Sequence, residues 1–123
     1  MNNNVPNEYQ ECNWLFQWAE LQPHLNGLLI KICNEGVRSP RQAYQLRAIG
    51  LRPGVPDYLL PLANDTYHSL WIEMKRRDKR KTAKDPRQND WIAKLQKIGH
   101  YATYAFGWDD AKDIIERYLA NQL

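Results

Sequence analysis

The sequence predicts an α/β domain in which helices flank a mixed central sheet, in the order α-β-α-β-β-α-β-α. Three observations predict it. Two proline-led helix starts, Ser39-Pro40-Arg41-Gln42 and Asp85-Pro86-Arg87-Gln88, put helices in the middle of the chain. Between them, residues 54–75 read as two apolar strands joined by a short polar turn, an antiparallel hairpin. The last third passes from a helical period to a short apolar strand and back to a helical period.

Residues 1–6 are polar and are expected to fray. From about Asn7 to Gln22, the apolar positions Trp14, Leu15, Trp18 and Ala19 recur at helical spacing. The run Leu28-Leu29-Ile30-Lys31-Ile32 reads as a strand, broken by Asn34-Glu35-Gly36. The helix capped by Ser39 runs to about Ile49 and stops at Gly50. Arg52-Pro53-Gly54-Val55-Pro56 is a stiff, non-helical approach to the hairpin. The helix opened by Asp85 carries Trp91, Ile92, Leu95 and Ile98 on one face and ends at Gly99. Residues 101–106 form a strand. A final helix presents Ala111, Ile114, Ile115, Tyr118 and Leu119 at i, i+3, i+4, i+7 and i+8.

At 123 residues, with no internal repeat or boundary, the chain 1–123 is expected to be one domain able to bury a normal core. The net charge of +3 is uneven, because eight of the seventeen Lys and Arg residues lie from Lys75 to Arg87. That block suits either a polyanion partner or a solvated loop. Cys12 and Cys33 are too few and too far apart for a disulfide framework or a zinc site, and reduced thiols are the simpler expectation. No signal-peptide pattern and no apolar run of membrane-spanning length occurs, so the expected location is the cytoplasm, with no membrane partner. The tryptophans and tyrosines fall mostly at core spacings and read as packing. His24, His68 and His100 are scattered and suggest no site.

The hairpin carries charge where charge should be scarce. Asp57 opens its first strand, and Glu73 and Lys75 lie two residues apart in the second, on one face of the sheet. Centring the turn on Asn64-Asp65 puts Asp57 opposite Ile72 or Glu73. Directly opposed residues have Cβ atoms roughly 4.5–5.5 Å apart, close enough for two carboxylates to share a divalent cation. On the first helix Glu11 lies within about 60° of Trp14, Leu15 and Trp18 on a helical wheel, at the buried edge, whereas Glu20 faces away. Glu8, one turn earlier, is also near the apolar stripe, and periodicity does not choose between the two.

These residues, in order, resemble the virus-type replication-repair nuclease (VRR-NUC) domain of the PD-(D/E)xK superfamily. The resemblance is carried by Gly54-Val55-Pro56-Asp57, Ile72-Glu73-Met74-Lys75, and Gln88-x-x-Trp91 with Gly99. Glu11-x-x-x-Leu15-Phe16-x-Trp18-Ala19 is similar to that family's first helix, and residues 105–111 to its last strand and helix. Asn34-Glu35-Gly36-Val37-Arg38 is similar to its loop after the first strand, with Glu35-Gly36 where many members carry Gly-Gly.

The resemblance implies a restriction-endonuclease-like core and a metal-dependent DNA endonuclease. Asp57, Glu73, the Met74 backbone carbonyl and Glu11 are then the expected ligands of Mg²⁺ or Mn²⁺, with Lys75 beside them and Gln88 completing the catalytic set. Hard cations favour such oxygen donors. Gln88 is also the third helical residue behind Asp85 and has a competing role as a helix cap. Arg76, Arg77, Lys79, Arg80, Lys81, Lys84, Arg87 and Arg38 are expected phosphate contacts, with Arg52 a lesser candidate. The family further implies a homodimer cutting branched DNA such as Holliday junctions. The rival expectations are a non-catalytic DNA-binding or assembly module on the same fold, and a restriction-type endonuclease.

Overall fold

The computed structural model describes residues 4–33, 39–79 and 85–123. Its elements are α1 (Glu8–Glu20), β1 (Ile30–Lys31), α2 (Pro40–Ala48), β2 (Tyr58–Leu60), β3 (Leu70–Lys75), α3 (Pro86–Lys97), β4 (Tyr101–Phe106) and α4 (Trp108–Leu119), in the predicted order. Short 3₁₀ turns occur at Pro23–Leu25 and Arg77–Lys79. The four strands lie in the order β1-β2-β3-β4. The β1–β2 and β2–β3 pairs are antiparallel and β3–β4 is parallel, so the sheet is mixed.

The helix starts follow the capping chemistry. Asn7 caps α1 by accepting from Gln10 N–H, and the Gln10 side chain returns the bond to Asn7 N–H. Ser39 Oγ accepts from Gln42 N–H, with Pro40 in the first turn of α2. α2 buries none of its residues and stands outside the core.

The sheet packs on both faces. One face holds Leu60, Leu70, Ile72 and Met74 against Leu15 and Ala19 of α1 and Ile115 and Tyr118 of α4. The other face is covered by α3, whose Ile92 and Leu95 pack on Ala102 with Trp71, Trp91 and Tyr104 around them. β3 is thus covered on both faces. Ser69 locks the far end of the sheet: Trp71 Nε1–H donates to Ser69 Oγ at 3.0 Å, and Ser69 Oγ lies 2.6 Å from His100 Nδ1.

Several expectations are corrected. The predicted strand 28–32 shortens to Ile30–Lys31, because β2 offers only Tyr58 and Leu59 as partners. The polar turn is a longer loop, residues 61–69. Asn64 organises it, its Oδ1 accepting from Thr66 and Tyr67 N–H while its Nδ2 donates to Tyr118 O. Ile98 is 65 % exposed, since it is the C-cap of α3 and its side chain has left the packed face. Trp14 and Tyr44 are exposed as well, although most of the other tryptophans and tyrosines are packed.

A candidate active site at the hairpin

The β2–β3 ladder pairs Tyr58 with Ile72, Leu59 with Trp71 and Leu60 with Leu70. Continued one step, that register sets Asp57 opposite Glu73, one of the two partners the sequence allowed. Asp57 is anchored on three sides. Its carbonyl accepts from Ile32 N–H at 2.7 Å, and its Oδ2 accepts from Met74 N–H at 2.8 Å. Its Oδ1 lies 3.3 Å from Lys31 Nζ. Glu73 is only 5 % exposed, and its Oε2 accepts from Gln88 Nε2 at 2.9 Å. Lys75 Nζ stands 3.9 Å from the same oxygen and 6.0 Å from the centre of the Tyr104 ring.

A small polar cavity opens over these groups, lined by Gly54, Asp57, Glu73, Asp85, Arg87 and Gln88 among others. Gly54 lets the two walls meet. A β-carbon there would lie 2.7 Å from the Arg87 carbonyl carbon, and the residue holds φ +91°. Only glycine meets both conditions without strain.

Burial and the adjacent Asp57 carboxylate push the Glu73 carboxyl up to about 9, against a smaller opposing pull from Lys75. Two facing carboxylates in a half-dry cleft repel each other, and either a proton or a cation relieves the repulsion. Gln88 Oε1 is buried with no hydrogen-bond partner among the described residues, so the residue adds an unpaired oxygen acceptor to the lining of the cavity. This oxygen-rich set suits a hard divalent cation. Among the described residues no group of three or more His, Cys, Asp and Glu side chains is arranged to hold one. An ion here would rest on two carboxylates, supplemented by amide or carbonyl oxygen and water.

The other expected site residues part company. Glu11 is wholly buried, as the wheel predicts, and both its carboxylate oxygens are engaged by other partners. Its Oε2 accepts from Arg77 Nε at 2.8 Å, and its Oε1 accepts from Arg77 Nη2 at 3.0 Å and from Trp108 N–H at 3.1 Å. The lock ties α1 to the start of α4 and to the turn after β3. The acid of α1 whose charge is felt at Glu73 is Glu8. Gln88 closes no capping box: Asp85 Oδ1 accepts from Arg87 N–H, and the Gln88 amide goes to Glu73.

The basic residues divide likewise. Arg77 is committed to Glu11 and Asp109, while Arg76 pairs with Asp78. Arg87 is held by Asp85 at the mouth of the cavity, and Lys79 ends an exposed turn. Arg38, Arg80, Lys81 and Lys84 lie outside the described residues, as does the loop 34–38. Lys31 is the site neighbour that the sequence did not reveal. The signal is the β1–β2 register, which sets Lys31 across from Tyr58, and no local pattern encodes it.

A solved structure described as a VRR_NUC domain protein superposes on this chain with a TM-score of 0.80, covering 95 % of this chain and 91 % of the other at 25 % identity. The chain shares the fold of that VRR_NUC domain protein. No family model and no curated protein matches the chain. The likeness extends across nearly the whole fold. No helix among the described residues is long and apolar enough to cross a membrane.

Proposed function

We propose that this chain is a VRR-NUC-type DNA endonuclease that hydrolyses phosphodiester bonds with a Mg²⁺ or Mn²⁺ ion held by Asp57 and Glu73. The observation that carries the reading is the Asp57–Glu73 carboxylate pair, with Glu73 buried and Lys75 beside it, in a fold shared with a VRR_NUC domain protein. The bound ion would polarise the phosphate and make water a stronger nucleophile at neutral pH.

The chain's own residues supply the rest. Met74 N–H and the Ile32 contact hold Asp57 in register, and Gln88 Nε2 orients Glu73. That leaves Gln88 Oε1 as an acceptor for a water proton. Lys75 carries a positive charge to the edge of the pair, where it offsets negative charge developing on the phosphate. The Met74 carbonyl is a further candidate ligand, and Glu8 is the acid of α1 whose field reaches the site. Arg87 and Lys79, with the basic residues 80–84, would engage the flanking phosphates. By analogy with the family, the substrate is branched DNA and the active form a homodimer in the bacterial or phage-infected cytoplasm, one site per strand.

The test is cleavage of matched linear, flap and four-way DNA substrates in Mg²⁺ or Mn²⁺. Cutting should be strongest on the branched substrates, disappear in EDTA, and be lost in folded Asp57→Asn and Lys75→Ala proteins. Undiminished cutting in EDTA, or by Asp57→Asn, would overturn the metal mechanism.

A further inference from the structure

We infer that Lys31 is a built-in rival to the metal: its ammonium occupies the Asp57 oxygen that a divalent ion needs, and so weakens metal binding. The inference rests on the metal-dependent reading above. Asp57 Oδ2 is taken by Met74 N–H, which leaves Oδ1 as its open oxygen, and Lys31 Nζ lies 3.3 Å from it. The ammonium is not there by chance proximity. It also donates to Ile32 O at 3.2 Å and stands 5.7 Å from the centre of the Tyr58 ring, so a carbonyl, an aromatic face and the carboxylate hold it together.

The backbone explains why it arrives there. Lys31 pairs with Tyr58 across the antiparallel ladder, and the residue before Tyr58 is Asp57. The next backbone bond, Ile32 N–H to Asp57 O, closes the two strands at this point. Among the groups around it, Cys12 and Glu8 of α1 also face this corner, since the Cys12 thiol feels Asp57, Lys31 and Glu8 together.

An ammonium is a monovalent stand-in for a cation. It offsets the charge of Asp57 when no divalent ion is bound, and it repels any divalent ion that approaches the same oxygen. Metal loading must therefore displace Lys31 from Asp57. The lysine is well placed to move, because its side chain is 38 % exposed and its partners are weak single contacts.

The test is Mn²⁺ binding to the full chain without DNA, read from the electron paramagnetic resonance signal of free Mn²⁺. Lys31→Gln should bind Mn²⁺ about tenfold more tightly than the wild type, the effect of removing one positive charge at contact range. Lys31→Arg, which keeps the charge, should bind as the wild type does and serves as the folding control. Binding by Lys31→Gln where the wild type shows none would support the inference equally. If Lys31→Gln binds no more tightly than the wild type while Asp57→Asn abolishes binding, Lys31 is a strand anchor only; the inference fails and the metal-dependent reading stands. If neither the wild type nor Lys31→Gln binds Mn²⁺, both fail.

Discussion

Replacing Glu73 by Gln should stabilise the protein while removing its proposed activity. Glu73 sits 5 % exposed beside Asp57, and its carboxyl titrates at about 9 against an ordinary value of 4.5. The folded state therefore holds this proton more tightly than the unfolded chain does. Stability from Glu73 is fully present below 4.5 and is lost progressively as the pH rises towards 9. At about 1.36 kcal/mol per pH unit, the interval from 4.5 to 7 corresponds to about 3 kcal/mol of lost stability at neutral pH. Glutamine has the same shape and no charge to lose. Its oxygen can accept from Gln88 and its amide can donate to Asp57, so about 1–3 kcal/mol should be recovered. For 123 residues that is a rise in Tm of about 4–10 °C. The assay is urea or thermal unfolding in EDTA at pH 5 and pH 8, with and without Mn²⁺. The variant should gain more at pH 8 than at pH 5, and Mn²⁺ should stabilise only the wild type. A variant no more stable than the wild type at pH 8 in EDTA would refute the claim that the pair is electrostatically strained.

Three further outcomes follow from the same geometry. Glu11→Ala leaves Arg77 and Trp108 N–H without their carboxylate and should cost about 2–3 kcal/mol in denaturant unfolding, less than a wholly buried pair because Arg77 is partly solvated. Glu11→Gln should recover part of this loss, and its Mn²⁺ affinity should match the wild type if Glu11 is an anchor and not a ligand. Gly54→Ala drives a methyl group into the Arg87 backbone at φ +91°, and should lower stability by about 1–3 kcal/mol and weaken Mn²⁺ binding by shifting Gln88. Burial pushes the Cys12 thiol up to about 11, so at pH 8 iodoacetamide should alkylate the exposed Cys33 and leave Cys12 largely intact, with Cys12 reacting as the pH passes 10. Mass spectrometry of the digested protein reads both sites.

The sequence by itself determined what is local. Helix caps, helix periods and the alternation in β3 depend on residues within a few positions of one another, so Asn7 to Leu119 yielded the right elements in the right order. It also brought the heart of the site within one residue, because the hairpin confines Asp57 to Ile72 or Glu73, and the ladder then chose Glu73. The tertiary structure alone decided the partners. Glu11 lies at the buried edge of its helix either way, but the choice between metal ligand and salt-bridge anchor depends on where Arg77 and Trp108 arrive, sixty-six and ninety-seven positions away. Gln88 was both cap and site by spacing, and only the packing of α3 over the hairpin sets its amide on Glu73. Lys31 left no local trace at all, since only the pairing of β1 with β2 sets its ammonium on Asp57. Periodicity says which face of an element is buried; which charge it meets there is a property of the packed chain.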